Sequence, residues 1–380
     1  MVGLSPFATP GLPMREKLYE VNWLLPVLIG VIGLIGVVMI YAATDGVWSR
    51  GAAQHAIRIG VAGLIMLGVA LIDIRVWYVL AYPAFIGSLF LLLGVEFFGV
   101  SVNGSQRWID LGVTRVQPSE LMKLSIVLTL ARYYHDLERW RVSHVSGLAG
   151  ALAIIGMPMI LILRQPDLGT TLLLGATGVA IVFLAGVNWR IISLAAIFSA
   201  IGVPLFLTYG LADYQRGRIL TFLNPSRDPG GASYHITQSK IALGSGGVSG
   251  KGFMKGTQRQ GDYVPENRTD FIFTVIGEEF GLVGSLLTIS LYIAVIGLCL
   301  YLVTQCKAMF SKLLILGLTT TFTLYIFINL GMVMGLMPVV GVPLPLISYG
   351  GTVILAVMFG FGLILSAHLH RNVELPRSGF

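Results

Sequence analysis

The sequence predicts an all-α integral membrane protein of about ten transmembrane helices, with one long, ordered extracytoplasmic loop between spans seven and eight. Three observations carry this expectation. Only 11% of the 380 residues are charged, whereas a soluble domain is nearer a quarter. Hydrophobic residues make up 55% of the chain, and mean hydropathy is +0.83. Apolar runs long enough to cross a hydrocarbon core recur throughout, interrupted by a polar stretch over 210–269.

The first span, 22–43, follows a polar leader of about twenty residues and is too long for a signal-peptide core, so it reads as a retained helix. Spans at 55–72 and 77–99 follow. The fourth, 118–134, is short and polar; Pro118 suits its first turn, with Gln117 or Ser119 near the cap. The fifth and sixth, 146–163 and 168–187, meet at RQPDLGTTLL, where Asp167 reads as the N-cap of the sixth. The remaining spans are 190–209, 270–303, 311–334 and 350–370. The links at 44–53, 73–76, 164–169 and 187–190 are short enough to force antiparallel neighbours. An even number of spans puts both termini on one side. Placing that side in the cytoplasm assigns Arg15, Lys17, Arg75, Arg132, Arg139, Arg141, Arg190, Lys307, Lys312, Arg371 and Arg377 to inside segments. The short outside loops then hold only Arg50, Arg107, Arg115 and Arg164, which is the expected asymmetry.

The chain reads as a single polytopic membrane domain over 1–380, with the loop 210–269 inside it. The net charge of +7 suits anionic headgroups, and no nucleic-acid motif accompanies it. The two cysteines, Cys299 and Cys306, fall near the inner end of the eighth span and imply no disulfide framework. The six histidines show no metal-binding spacing, and no GxSxG or Cys/His nucleophile arrangement stands out. No internal repeat of the inverted-transporter kind is visible.

Within the loop, GSGGVSGKGFMKGTQ (residues 244–258) is the most unusual stretch. It is not a Walker A loop, because Gly246 to Gly250 leaves three intervening residues and Lys251 precedes Gly252. Its glycines could still bring backbone N–H groups to an anion, with Lys251 and Lys255 neutralising it. A solvated flexible loop explains the same residues, and both readings stay open. Asp270 in RTDFIF lies where loop becomes helix. It reads as an N-cap, with Thr269 equally suited, and also as an ionised carboxylate of the kind a general base requires. Glu120 and Lys123 are three apart and can pair on one helix face; intramembrane charges of this kind mark functional sites by default. Glu278 and Glu279, two turns into the eighth span, read as interfacial.

Taken together, NGSQRWIDLG, QPSELMKL, QPDLGTTLL, DYQRGRIL, YHITQSKIALGSGG, PENRTDFIF with GEEFGLVG, and VPLPLISYGG resemble the SEDS family (shape, elongation, division, sporulation), in order over essentially the whole chain. MPVVGVPLPLISYGG and the short N-terminal tail look nearer its rod-shape branch than its division branch. The resemblance implies a bacterial inner-membrane enzyme that polymerises lipid II into glycan strands, releasing undecaprenyl diphosphate, with a class B penicillin-binding protein as cross-linking partner. It places the catalytic acid on Asp270 and the paired charges on Glu120 and Lys123. It also matches the family's loop tryptophan to Trp108 and its Pro-Glu pair to Pro265 and Glu266. Two departures are Arg268, where many relatives carry His, and SYGGT in place of SYGGS. A fixed charge at Arg268 favours the ionised form of Asp270 and so weakens it as a base.

The substrate-facing set is then Arg107, Trp108, Arg216, Arg218, Lys240, Lys251, Lys255, Gln258 and Glu266, chiefly cations for a diphosphate. A divalent cation (Mg or Mn) is the one cofactor this chemistry could use, and no organic cofactor is expected. A lipid II flippase and a non-catalytic scaffold are the rival readings. A flippase needs access from both faces, whereas the unusual polar sequence concentrates on the outer side.

Overall fold

The computed structural model describes residues 13–102, 105–110, 112, 115–191, 193, 194, 197, 198, 200, 202, 216, 217, 220, 222, 232–257 and 268–377. In chain order the elements are α1 (Met14–Glu20), α2 (Leu24–Ala43), a 3-10 turn (Trp48–Arg50), α3 (Ala52–Leu71) and α4 (Ile74–Phe98). Three short strands follow, β1 (Val100–Val102), β2 (Ser105–Asp110) and β3 (Arg115–Val116). Then come α5 (Pro118–Asp136), α6 (Val145–Arg164), α7 (Leu168–Leu184), α8 (Ala232–Ser245), α9 (Ile272–Gln305), α10 (Met309–Val333) and α11 (Gly351–Leu369).

Among the described residues, seven helices are long and apolar enough to cross a membrane: α2, α3, α4, α6, α9, α10 and α11. Helix α7 is apolar but shorter. Helix α5, the expected polar fourth span, is not among these seven, and protein covers its polar side chains. Its Glu120, Lys123, His135 and Asp136 are all buried. The expected seventh span, 190–209, and the start of the long loop fall largely outside the described residues. Burial ranks the helices from centre to rim. In the most apolar stretch of α11, 83% of residues are buried, against 28% in α3 and α6, whose outer faces are left for lipid. Helix α11 is thus the central post, packed on α3 and flanked by α10.

The expected helix starts hold where a specific group satisfies the first N–H donors. Gln117 is the N-cap of α5 with Pro118 in its first turn, where a missing N–H costs nothing. Asp167 caps α7, its carboxylate accepting from the Thr170 N–H at 3.1 Å. Asp270 does not take the same role: Phe271 is the N-cap of α9 and has no side-chain cap bond. The Asp270 carboxylate therefore lies just outside the helix.

The region 100–123 departs from the all-α expectation. The three strands form an antiparallel meander in the order β1-β2-β3. Val102 pairs with Ser105, and the Asn-Gly dipeptide between them is the strongest short hairpin signal a sequence carries. The meander is pinned to the bundle by Gln106, whose amide donates to Val95 O and Gly99 O at the end of α4.

The glycine-rich stretch also takes a form neither reading anticipated. It packs backbone to backbone against a break in α9. At Gly281 the helix adopts φ 63°, ψ −155°, a conformation open essentially to glycine alone. Carbonyls and amides freed there are met by the loop. Lys251 N and Gly252 N donate to Glu278 O and Glu279 O, and Leu282 N and Val283 N donate to Gly247 O and Val248 O. A Cβ on Gly250 would lie 2.1 Å from Glu279 O, on a backbone already at φ +79°. Glu278 and Glu279 are both 1% exposed beneath this loop.

Gly250→Ala should therefore destabilise the fold by about 2–4 kcal/mol, combining strain with a backbone collision. Gly244→Ala, with nothing within 4 Å of its added Cβ, should be neutral. Thermal unfolding of the two detergent-solubilised variants checks this contrast.

Candidate active site

Five of the chain's chemistry-bearing segments meet at one end of the bundle, where α9, α5, α7 and α11 begin and α10 ends. The centre of this end is the turn Arg268-Thr269-Asp270, and its three successive carbonyls are all held. Tyr349 N donates to Arg268 O at 2.8 Å. The Ser348 hydroxyl donates to Thr269 O at 2.6 Å while accepting from Leu344 N at 2.8 Å. The Asn329 amide donates to Asp270 O at 2.8 Å and to Val342 O at 2.7 Å. Two of these donors come from the segment 342–350 and the third from α10. The half-buried Asp270 carboxylate faces Gly341, whose added Cβ would stand 3.6 Å from Oδ2. The neighbouring Val340 carbonyl abuts Gly169 at the start of α7, 2.5 Å from a Cβ built there. One short segment therefore connects Asp270 to the capped end of α7.

One turn along α10 lies the second cluster. Lys123 Nζ is 2.6 Å from Glu120 Oε1, and Tyr325 donates to Glu120 Oε2 at 2.6 Å. Lys123 also donates to the Tyr325 hydroxyl and stands over its ring, 4.5 Å from the centroid. The expected Glu120–Lys123 pair is thus a closed triad in which each charge has two partners. It borders a cavity of about 30 Å³ whose other walls come from α10 and α11, room for a water or two. Thr321, Tyr325 and Asn329 are four residues apart along α10, so one face of this helix carries the cavity wall, the triad and the anchor of Asp270. The sequence reading passed over Tyr325 and Asn329. Their signal was available as polar residues at i, i+4 spacing in an otherwise apolar span.

The remaining candidates are scattered around this end and serve differing contacts. Arg107 donates to Gln165 O and Pro166 O and lies 3.6 Å from Asp167, so the meander braces the turn into α7. Gln117 approaches the same carboxylate at 3.3 Å. Trp108 is half-buried on β2. Lys240 on α8 lies across the end of α10, its ammonium 2.6 Å from a Cβ placed on Gly335, while Ser239 donates to Val333 O at 2.7 Å. Lys251 is engaged away from Asp270: its ammonium is 2.7 Å from Glu278 Oε1 and donates to Thr257 at 2.7 Å. Lys255 and Arg216 are exposed. Arg218, Gln258 and Glu266, with Pro265, lie outside the described residues. Arg268 sends its guanidinium toward Ala43 O, 3.3 Å away at the end of α2. Among the described residues, no cluster of three or more His, Cys, Asp or Glu side chains could hold a metal ion.

A polytopic helical membrane protein with a braced carboxylate at one end and a buried charge triad beside it is the class that fold and site define. The chain belongs to the cell cycle protein family of FtsW, RodA and SpoVE, the SEDS family, whose profile matches residues 16–373. It is 43% identical over 316 residues to the peptidoglycan glycosyltransferase MrdB of Escherichia coli K12, covering 83% of this chain and 85% of that one. It is 34% identical over 341 residues to the probable peptidoglycan glycosyltransferase FtsW of Geobacter sulfurreducens, covering 87% and 90%. Its fold matches a solved structure described as "Structural coordination of polymerization and crosslinking by a peptidoglycan synthase complex", with TM-score 0.81, 30% identity and coverage of 93% and 99%. The rod shape determining protein RodA of Thermus thermophilus matches with TM-score 0.70, 26% identity and coverage of 93% and 98%.

Removing one member of a buried ion pair strands the other charge. Glu120→Met or Lys123→Met alone should therefore cost about 3–5 kcal/mol, whereas Glu120→Met/Lys123→Met together should cost less than the sum of the two. A double-mutant cycle on unfolding midpoints checks the coupling.

Proposed function

We propose that this chain is a peptidoglycan glycosyltransferase of cell-wall elongation that polymerises lipid II, with Asp270 as its general base. The observation that carries the assignment is the clamped Arg268-Thr269-Asp270 turn. Its peptide is fixed by three donors while its carboxylate remains half-buried at the bundle end.

In this reaction the Asp270 carboxylate takes the proton of the acceptor sugar's 4-hydroxyl. The freed oxygen forms a bond to the donor's anomeric carbon, and the bond from that carbon to undecaprenyl diphosphate breaks with inversion. Glycosidases of inverting type need a second carboxyl to protonate a poor leaving oxygen; a diphosphate leaves as a stable anion, so cations at the mouth replace that acid. Arg216, Lys240 and Lys255 are exposed cations suited to this role, and we assign Arg218, Trp108, Gln258 and Glu266 to substrate binding with them. Arg107 and Lys251 contribute through the turns they brace. The Glu120–Lys123–Tyr325 triad holds α5 against α10 and so keeps the anchor of Asp270 in place. A Mg or Mn ion would travel with the diphosphate, since Mg sites typically use one or two carboxylates plus substrate phosphates.

The reading includes a topology: ten spans in a bacterial inner membrane, both termini cytoplasmic, the 210–269 segment and Asp270 on the periplasmic side, and one membrane domain over 1–380. A cross-linking transpeptidase, a class B penicillin-binding protein, completes the synthase.

Asp270→Asn should reduce polymerisation of purified lipid II by about 10²–10⁴-fold, the range for loss of a general base, with little change in unfolding midpoint. Glycan chains resolved on a gel provide the readout. A normal rate from Asp270→Asn would refute the base assignment.

A further inference from the structure

The end of the bundle opposite Asp270 holds a cavity of about 750 Å³, within the range of about 300–1,000 Å³ typical of ligand sites. Four cations border it, Arg139, Lys307, Lys312 and Arg377, against one acid, Glu374. Neighbouring basic residues at this end are paired. Arg132 lies 3.7 Å from Asp136, and Arg371 lies 3.3 Å from Glu20. Among the described residues, none of the four cavity cations has an ion-pair or side-chain hydrogen-bond partner.

Two further features aim at the same space. Helix α10 begins on the cavity wall at Ala308 and Met309; its N-cap residue makes no side-chain bond, and one first-turn amide, Phe310 N, donates to Nδ1 of His135, which also lines the cavity, at 3.3 Å. The start of a 25-residue helix presents amide donors and the positive end of its dipole. Tyr134 also lines the cavity; its side chain is 3% exposed, and its hydroxyl lacks a hydrogen-bond partner among the described residues. The rest of the wall includes Leu137, Val142 and Met309. The lining thus combines excess positive charge and the remaining helix N–H groups with an apolar side. Basic pockets between membrane helices suit phosphate-bearing headgroups.

We propose that this cavity binds the phosphodiester of an anionic phospholipid headgroup. The cations and the start of α10 take the phosphate, and the apolar wall takes the glycerol and first acyl methylenes. The inference is independent of the reaction proposed for the other end. The topology above decides only which leaflet supplies the lipid, namely the cytoplasmic one.

The test uses the full chain, exchanged into a zwitterionic detergent and titrated separately with phosphatidylglycerol and phosphatidylcholine, with retained lipid counted by native mass spectrometry. The wild type should prefer phosphatidylglycerol by at least about tenfold. Lys307→Gln/Lys312→Gln should weaken that binding by roughly thirty-fold, taking about fivefold for each cation removed. Arg15→Gln, at the same end but outside the cavity, should leave it unchanged. If the lysine pair fails to fold, judged by its unfolding midpoint, Arg139→Gln/Arg377→Gln supplies the same reading. Equal retention of the two lipids, or unchanged retention in the variants, overturns the proposal. So does an Arg15→Gln loss as large as the double variant's, which would mark general surface attraction. Displacement of phosphatidylglycerol by excess inorganic phosphate would identify free phosphate as the occupant and overturn the lipid assignment.

Discussion

Irregular backbone inside a membrane bundle must find all its hydrogen-bond partners within the protein, and the segment 342–350 is where this chain meets that constraint. The segment is buried: Val342, Leu344, Leu346, Ile347 and Ser348 are all 3% exposed or less. Pro343 and Pro345 reduce the problem by carrying no N–H. The carbonyls are met from three helices, by Asn329 of α10 at Val342, Tyr292 of α9 at Pro345, and His55 of α3 at Leu346. A carbonyl only accepts, so His55 carries its hydrogen on Nε2. With its own backbone fixed, the segment can fix another, and the Arg268-Thr269-Asp270 turn is the one it holds. Leu346 sits at φ +67° to do so, a strain that persists only where surrounding structure over-determines it.

The same requirement explains the glycine stretch at 244–257. A helix that breaks at Gly281 frees amides and carbonyls, and a loop able to lie flat on the break satisfies them. Glycine is needed there because any side chain would separate the two backbones. Lys251 serves there as the counter-charge of buried Glu278. The two ends of the bundle consequently differ in kind. At one end the three carbonyls of the Arg268-Thr269-Asp270 turn are all held beside the closed Glu120–Lys123–Tyr325 triad. At the other, four cations surround an open cavity and remain unmatched.

Much of this was legible in the sequence, for identifiable reasons. Long apolar runs locate the spans because hydrocarbon leaves few alternatives to helix, and Gln117-Pro118 and Asp167 mark helix starts because short-range geometry decides them. Glu120 and Lys123 stood out because intramembrane charge is costly. The misses were mostly of tertiary origin. Nothing local distinguishes a lysine that binds an anion from one that neutralises Glu278, since the partner lies 27 residues further along the chain. Asp270 looked like a cap because caps and pre-helical acids share the same position to within a residue. Tyr325 and Asn329 were overlooked because a tyrosine and an asparagine in an apolar span carry no motif. Only their four-residue spacing on α10 links the triad to the turn. The meander between α4 and α5 was overlooked although Asn103-Gly104, a hairpin dipeptide, announced it, because the membrane setting favoured an all-helical reading.

The decisive residue is Asn329, whose side chain ties α10 to both the Asp270 carbonyl and the 342–350 segment. The most direct measurement is the steady-state kinetics of lipid II polymerisation by Asn329→Leu, a change close in shape that removes both donated bonds. If the clamp positions Asp270, kcat should fall by about a hundredfold, the cost of a displacement near 1 Å, while KM stays near that of the wild type. A kcat equal to the wild type's in a variant lacking both bonds would contradict the account.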